Sequence, residues 1–553
     1  MSEQVITATP VNTPDILLNA PLTRQLDVEL ESTILEPVSH SYVSATGGRT
    51  TFVLPAKGVL DCPNAAIVFE MTCPAANELV AFNYSAGGLA CVDRITARCG
   101  GTIISQVENA GQYANIKQNY RSQAVKEGIM DYRHLSSNGV DLSISNAKIA
   151  TGSVTEEFQQ LYNFECDQVS PFARSYNGDN ANAHQTQLSK CLNATAGQGP
   201  EVVIRLADMF EIFENVKLPL MAMAQVEIEI EWSPAGDANV AAANVIDSPV
   251  IDALIPNAAD SVAAVKLQQG ILTMSTPTML LDYIHYSDEE RMKIFDSINS
   301  GPGMRLDFSE VVLTRGVNPA GAGVAGGAAD VLETIASNHI LGFAQKEVQK
   351  IYVSKQYDLR SANGAAELDS TRNGVNTHRN ILLNQYKSTQ ILGESYNFFI
   401  NNQRIYDNDI TNPAMAHDYL SQIGGGSLWT CPRAYYNTNN YNASGCKELL
   451  DCSWSSGART QDINTGKTKR YLAGSNNVVG VSLEKIPGVV AVGNGTRISS
   501  APIEFNYSRV ALAASAGNGG AAASMKAEVN LEFYICHRRS IIIRALGVDV
   551  SDA

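Results

Sequence analysis

Asn215–Trp232 reads NVKLPLMAMAQVEIEIEW, and its second half alternates without a break. Val226, Ile228, Ile230 and Trp232 fall on one face, and Glu227, Glu229 and Glu231 on the other. Period-two alternation of this length predicts a half-buried antiparallel strand, with one face in a core and one in water. A helix would scatter the three glutamates around its circumference. Pro219 fits only a strand start, an edge or a bulge, so it predicts that a new strand begins nearby.

The same kind of strand returns in AEVNLEFYICHRR, where Val529, Leu531, Phe533 and Ile535 alternate with Asn530, Glu532, Tyr534 and Cys536. Each copy has a partner far upstream. Gly100-Gly101 lies in VDRITARCGGTIISQVENAGQYAN and Asn401-Asn402 in SYNFFINNQRIYDNDI. In both, an apolar-rich run meets a two-residue turn and a shorter run follows, which is the grammar of a β-hairpin. The intervals Gly101 to Val226 and Asn402 to Val529 are nearly equal. Two similar devices at similar spacing predict one fold that occurs twice.

At 553 residues the chain exceeds one core, and two or three domains are expected. With 44% hydrophobic and 17% charged residues it is globular, and its 42 glycines suit many turns. The net charge of −16 argues against a dedicated nucleic-acid binder, which would carry a basic patch or tail. The one dense basic cluster, His537-Arg538-Arg539 with Arg544, follows a strand and reads as strand-end or interface charge. MSEQVITATPVNTPDILLN lacks a basic start and an apolar core, so no secretory signal is expected. No run approaches the ~20 apolar residues of a membrane span. The ten cysteines contain no C-x-x-C pair and read as free thiols.

In chain order, residues 1–30 read as an N-terminal arm and 31–235 as a first β unit. TTFVLPA, AAIVFEMTC and CVDRITARC are strand candidates; Gln106–Arg121 reads as a short polar helix, and Leu206–Phe213 as a turn or short helix. Residues 236–265 shift to Ala, Asn, Asp and Pro, as a linker or long loop would. Residues 266–553 read as a second β unit with a C-terminal tail. LLDYIHYSDEERMKIFDSI carries a helix start, with Ser287 and Glu290 at capping-box spacing and Asn299-Ser300-Gly301-Pro302 as the stop. MRLDFSEVVLTR, KEVQKIYVSKQYDL, KSTQILGESYNFFI, VVGVSLEKI and IEFNYSRVALAA are further strands. Many strands with long irregular loops describe a sandwich or jelly roll.

Chemistry is thin. The eight histidines form no H-E-x-x-H and no spaced metal pair, and no G-x-S-x-G elbow or P-loop appears. Gly321-Ala-Gly323-Val-Ala-Gly326 fits G-x-G-x-x-G, but Asn318-Pro319 intervenes after the preceding strand and no β/α alternation surrounds it. A flexible Gly/Ala loop explains it better. The Tyr/Asn-rich stretch 425–445 offers aromatics that could stack on sugars, against the plainer reading of an exposed loop. Asp288-Glu289-Glu290 is explained by the helix start. No catalytic, cofactor-binding or metal-ligating residue is singled out, and no enzyme activity or cofactor is expected.

The order of these segments resembles the double jelly-roll major capsid proteins of icosahedral DNA viruses: large eukaryotic DNA viruses, virophages and polinton-like elements. CVDRITARCGGTIISQVENAGQYA is similar to that family's early strand, Gly-Gly turn and helix. VKLPLMAMAQVEIEIEW resembles the LPL…V-x-I signature that closes its first roll. LLDYIHYSDEERMKIF resembles the segment that opens the second roll, and SYNFFINNQRIYDNDI its N-G-x-x-R strand-turn, although Asn401-Asn402-Gln403 lacks the usual glycine. VSLEKIPGVVAVGNGTRISSAPIEFNYSR runs to the small-polar-S-R signature at Asn506–Arg509, and IIIRALG resembles the terminal strand and glycine. MFEIF stands where an aromatic F-W-F segment is usual. The match spans about residues 50–548.

The resemblance implies an all-β chain: two tandem jelly-roll β-sandwiches with long surface loops and a few short helices. It implies a structural protein that forms homotrimers, pseudo-hexagonal capsomers tiling a virion shell around DNA. Its partners would be itself, neighbouring capsomers, penton and minor capsid or cement proteins, and in some members an internal membrane, without sequence-specific nucleic-acid binding. It would be made and assembled inside the host cell, not secreted. Two other readings stay open at this stage. A carbohydrate-binding or adhesion module would use the Tyr/Asn loops, and a β-sandwich glycosidase would need two carboxylates about 5–10 Å apart.

Overall fold

The computed structural model describes residues 28–44, 46–72, 78–82, 88–119, 201–234, 250–254, 266–268, 273–299, 301–319, 331–343, 346–358, 394–411, 415–416, 419, 478–485, 494–498, 502–513, 528–545 and 547–552. In chain order the first strands are β1 Val28–Leu35, β2 Ser39–Val43, β3 Gly47–Leu54, β4 Val59–Leu60, β5 Ala66–Thr72, β6 Glu78–Phe82, β7 Val92–Cys99 and β8 Thr102–Glu108. Helix α1 Ala110–Asn119 follows, then β9 Glu201–Arg205, α2 Leu206–Met209, α3 Glu211–Asn215 and β10 Val226–Trp232. Next are β11 Val250–Leu254, β12 Lys266–Gln268, β13 Thr273–Met274, β14 Thr278–Tyr286 and α4 Asp288–Asn299. The remainder comprises β15 Met304–Asn318, β16 Val331–Leu341, β17 Glu347–Asp358, β18 Ser395–Ile400, β19 Gln403–Arg404, β20 Val479–Ser482, β21 Thr496–Arg497, β22 Ile503–Ala513, β23 Glu528–Arg544 and β24 Gly547–Asp552.

Two sandwiches emerge with one strand order. In the first, β1 pairs β14, β14 pairs β5 and β5 pairs β9, all antiparallel. Facing that sheet runs β2-β3-β10-β7-β8. In the second, β15 pairs β23, β23 pairs β17 and β17 pairs β20, opposite β16-β22-β18-β19. In each half the opening strand is joined to the last, and the next major strand (β3 or β16) to the second-last. The chain wraps on itself twice, which is the jelly-roll path. The fold is two tandem jelly rolls, with the few helices in loops.

The alternating stretch is β10, buried through Val226, Ile228, Ile230 and Trp232 as its period requires. The glutamate face is not simply wet. Glu229 lies between Arg49 and Arg98, at 3.4 and 3.3 Å, and Glu231 is held by Arg49 and Arg94. Arginines on β3 and β7 flank the glutamates in register, so cross-strand pairing of opposite charges knits the outer face. An aromatic pair bridges the two sheets of each sandwich: Phe69 on Trp232 at 5.0 Å, and Phe533 on Phe505 at 5.4 Å, both edge-on.

Both hairpins form. Gly100 and Gly101 sit at φ +55° and +86° between Cys99 and Thr102, and Asn401 and Asn402 at +53° and +61° between Ile400 and Gln403. Asparagine enters the left-handed region with less strain than other side-chain-bearing residues, so the second turn dispenses with glycine. The repeat itself needs correction. β7 pairs β10, but β18 pairs β22, so the counterpart of Val226–Trp232 is Ile503–Ala513, not the Val529 strand. The equal spacing was coincidental. β23 instead corresponds to β14, the last strand of its roll.

That correspondence also moves the boundary between the halves. Thr273–Met274 and Thr278–Tyr286, expected in the second unit, hydrogen-bond to β5 and β1. LLDYIHY therefore completes the first sheet rather than opening the second roll, and LPL…VEIEIEW is the penultimate strand rather than the closing one. Within 236–265, Val250–Leu254 pairs β6 and β12 in a small separate sheet, so this segment is a loop inside the first roll's path. Val28–Leu30, placed in the arm, belong to β1. α4 follows as expected, with the Arg291 amide on the Ser287 carbonyl at 3.0 Å.

Arg509, the end of the N-Y-S-R segment, is wholly buried on β22. Its Nε donates to Asn318 Oδ1 at 2.6 Å and an Nη to the Pro319 carbonyl at 2.8 Å, pinning the end of β15 across to β16 and β22. Asn318 in turn donates to Ser337 Oγ at 2.9 Å. Replacing Arg509 with Met leaves those acceptors dry, and unsatisfied buried groups cost about 1–3 kcal/mol each. Arg509→Met is expected to lower the denaturant midpoint of the chain accordingly, whereas Arg544→Met, at an exposed site, is expected to leave it nearly unchanged.

Candidate functional site: the wall between the two sandwiches

The sheet β15-β23-β17 has a core on each side. Ile351, Val353, Phe533 and Ile535 point into the second sandwich. Val311, Tyr352, Tyr534 and Cys536 point the other way and join the apolar cluster of the first, with Leu313 packed against it. The expected wet face of β23 is therefore an interface, and Tyr534 and Cys536 are buried there. Helix α1 supplies much of the opposing surface. Expected over Gln106–Arg121 as a polar helix, it starts at Ala110 and buries Gln112, Tyr113, Ala114 and Ile116. Asn109 at φ +50° turns the chain from β8 into it. Gly111 lets it approach: a Cβ there would lie 2.2 Å from the Leu89 carbonyl oxygen.

Polar groups fix the register of this contact. Glu310 on β15 accepts from Ser105 Oγ at 2.6 Å and from the Gln106 amide at 2.7 Å, so its carboxylate satisfies an edge donor of β8. Asn109 donates to the Glu532 carboxylate and to the Tyr534 hydroxyl, and Gln112 donates to Ser354 Oγ at 3.1 Å. Behind α1, Lys117 pairs with Glu211 of α3 at 2.8 Å and with Glu214, while the Tyr113 hydroxyl donates to Glu211. Burial pushes Tyr113 well above its ordinary range. Burial would also raise Glu211, but the Lys117 charge and hydrogen bond, with the Tyr113 hydroxyl, win and hold it below the usual carboxylate range.

The basic cluster lies along β23 rather than beyond it. Arg538 reaches Asp307 and Glu347, each at 3.5 Å, and Arg539 reaches Glu310 at 3.6 Å. Only Arg544 stands at the strand end, 2.6 Å from Asp549 of β24. Deeper in the second sandwich, Lys355 is fully buried and ion-paired with Glu394 at 2.5 Å. These charges hold strands together, and their partners are carboxylates of neighbouring strands and loops.

The other sequence candidates do not converge. His40 bonds Thr50, His285 bonds Glu31, His339 bonds Ser337 and His537 approaches Lys346, each in a different place. Among the described residues no group of three or more His, Cys, Asp or Glu could hold a metal ion. Cys62, Cys91, Cys99 and Cys536 are free and buried, and burial pushes the Cys536 thiol up to about 12. Residues 321–326 and 425–445, like the other four histidines, lie outside the described residues. No described helix is long and apolar enough to cross a membrane. Sequence reasoning missed Glu211, Glu310 and Lys117 altogether. The signal was faint: a glutamate within an apolar run, FSEVV and MFEIF, marks a carboxylate with a buried partner.

No protein-family model and no curated protein matches the sequence. Among solved structures the chain is similar to that of the Sputnik virophage determined by cryo-EM, with TM-score 0.46 and 13% identity over 100% of this chain and 95% of that one. It is similar to the mavirus major capsid protein, with TM-score 0.43 and 9% identity over 100% and 93%. The Faustovirus major capsid protein gives TM-score 0.41 and 10% identity over 95% and 92%. The fold assignment rests on the strand pairings themselves.

The wall makes stability depend on pH with a definite sign. Glu211 has a lower pKa folded than its unfolded value near 4.5, so its contribution is complete above about pH 4.5 and is lost as pH falls toward the folded value. Glu211→Gln is expected to melt lower than the parent at pH 7, with the gap narrowing below pH 4.5, in thermal scans from pH 7 to 3. Gly111→Ala, which drives α1 off Leu89, is expected to lower the melting temperature at every pH alike.

Proposed function

We infer that this chain is a major capsid protein. It trimerises into pseudo-hexagonal capsomers that tile an icosahedral shell around a DNA genome, and it acts as a structural protein without catalytic activity. The observation that carries the reading is the pair of jelly rolls with one strand order, locked side by side through a wall buried on both faces. Such a block holds its shape under load, because neither sandwich turns without breaking the Glu310, Asn109 and Gln112 contacts. The ordered segments from CVDRITARCGG to IIIRALG support it. The structures that the chain is similar to are those of the Sputnik virophage and of the mavirus and Faustovirus major capsid proteins.

In this reading each chain works by self-association. Neighbouring capsomers, penton proteins and minor or cement proteins are its further partners, and the virion its location. A chain of net charge −16 fits a shell wall that leaves genome packing to other components.

Light scattering on the purified full chain is expected to give a mass three times 59.4 kDa, and negative-stain images a hexagonal outline. A monomer at all concentrations, with binding on a glycan array, would replace the capsid reading with that of a carbohydrate-binding module.

A further inference from the structure

Lys355 is wholly buried, and no other lysine among the described residues is. It continues the inward row of Ile351 and Val353 on β17, so its side chain lies in the second sandwich. Its Nζ meets Glu394 Oε2 at 2.5 Å. Glu394 directly precedes β18 in the opposite sheet and continues the strand face of Tyr396 and Phe398, which also point into that core. The two side chains therefore join the sheet of β15, β23, β17 and β20 to the sheet of β16, β22, β18 and β19 from inside the sandwich.

Water solvates neither charge well there. Burial lowers the pKa of Lys355, and the Glu394 charge and hydrogen bond oppose that shift. Passing one proton from Nζ to the carboxylate leaves a neutral amine against a neutral carboxylic acid, and a desolvated neutral amine is a nucleophile. Two strands hold the pair in contact, which raises the effective concentration of one group at the other by many orders of magnitude. Condensation of an acid with an amine needs that help, because in dilute solution water drives the reaction backward. A donor for the oxygen that gains charge is also nearby. Tyr396, two residues along the Glu394 face, is buried, and its hydroxyl has no hydrogen-bond partner among the described residues. Burial keeps that hydroxyl protonated, and the Glu394 charge adds to the effect.

We propose that Lys355 and Glu394 condense to an amide that bonds the two sheets of the second jelly roll covalently. The Nζ–Cδ bond forms and one Cδ–O bond breaks. The leaving oxygen departs as water, carrying two of the three ammonium protons, and the amide nitrogen keeps the third. No oxidant, reductant or cofactor enters, and the two buried charges disappear together. The step occurs once per chain and closes residues 356–393 into a covalent loop. A sandwich bonded in this way cannot open by parting its sheets at that end. The bond forms within one chain, so a monomer would carry it as well as a trimer, and it does not depend on the shell-protein reading.

The intact mass of the full chain, measured under denaturing conditions, tests it. Lys355→Arg is the reference, because a guanidinium stays charged and is a poor nucleophile. After allowance for the substitution, the parent is expected to be lighter than the reference by one water. A tryptic map of the parent is expected to show no cleavage after Lys355 and one pair of peptides joined at Lys355 and Glu394. In a pulse-chase after synthesis, Tyr396→Phe is expected to lose its water roughly a hundredfold more slowly than the parent. A parent with no water missing, or with the water lost elsewhere in the map, overturns the proposal and leaves Lys355 and Glu394 as an ion pair. A Tyr396→Phe chain that bonds at the parent's rate overturns the hydroxyl's part in the step.

Discussion

A strand with apolar side chains on both faces has to be enclosed from both sides, and β23 is such a strand. Its Phe533 and Ile535 need the second sandwich and its Tyr534 and Cys536 need the first. Everything that joins the two halves is arranged around that demand. Glutamate, asparagine and glutamine side chains occupy the edges of the contact, where backbone donors or hydroxyls would otherwise go dry. The buried Lys117–Glu211 pair holds α1 flat against the wall. A pair of this kind adds little net stability over an apolar substitute, and its value lies in defining one arrangement.

Local features of the fold were legible. Turn chemistry announced both hairpins, because two successive residues at positive φ are tolerated by few residue types and Gly-Gly and Asn-Asn are among them. Period-two alternation located β10, and the S-x-x-E spacing located α4. The long-range pairing was not legible. β1 and β14 are complementary only as two apolar-polar strands, a property shared by other described strands such as β2 and β10. That is why a spacing coincidence stood in for a repeat, and why residues 278–286 seemed to begin a unit they complete.

The wall was hidden for a related reason. Tyr534 and Cys536 read as a polar face because both carry heteroatoms, yet both bury well when a partner is near: Asn109 for the tyrosine hydroxyl, and the Tyr113 hydroxyl for the thiol. Likewise Glu229 reads as solvent-facing, and only the arginines of β3 and β7, distant in sequence, make its burial tolerable. Charge in this chain is mostly a matter between strands, and sequence pattern along one strand cannot show it.

The position of β23 also sets the order of events at the ribosome. Residues 528–544 emerge only after β15 and β17, yet they form the centre of the sheet on which the second core closes and against which α1 docks. The first sheet waits too, since Val28–Leu35 finds its partner only when Thr278–Tyr286 has been made. Pairings across such separations are slow and leave apolar strands uncovered meanwhile. Closure of each core therefore waits on a strand made much later, and the yield in a cell depends on how long nascent β1 and β15 are shielded before β14 and β23 arrive.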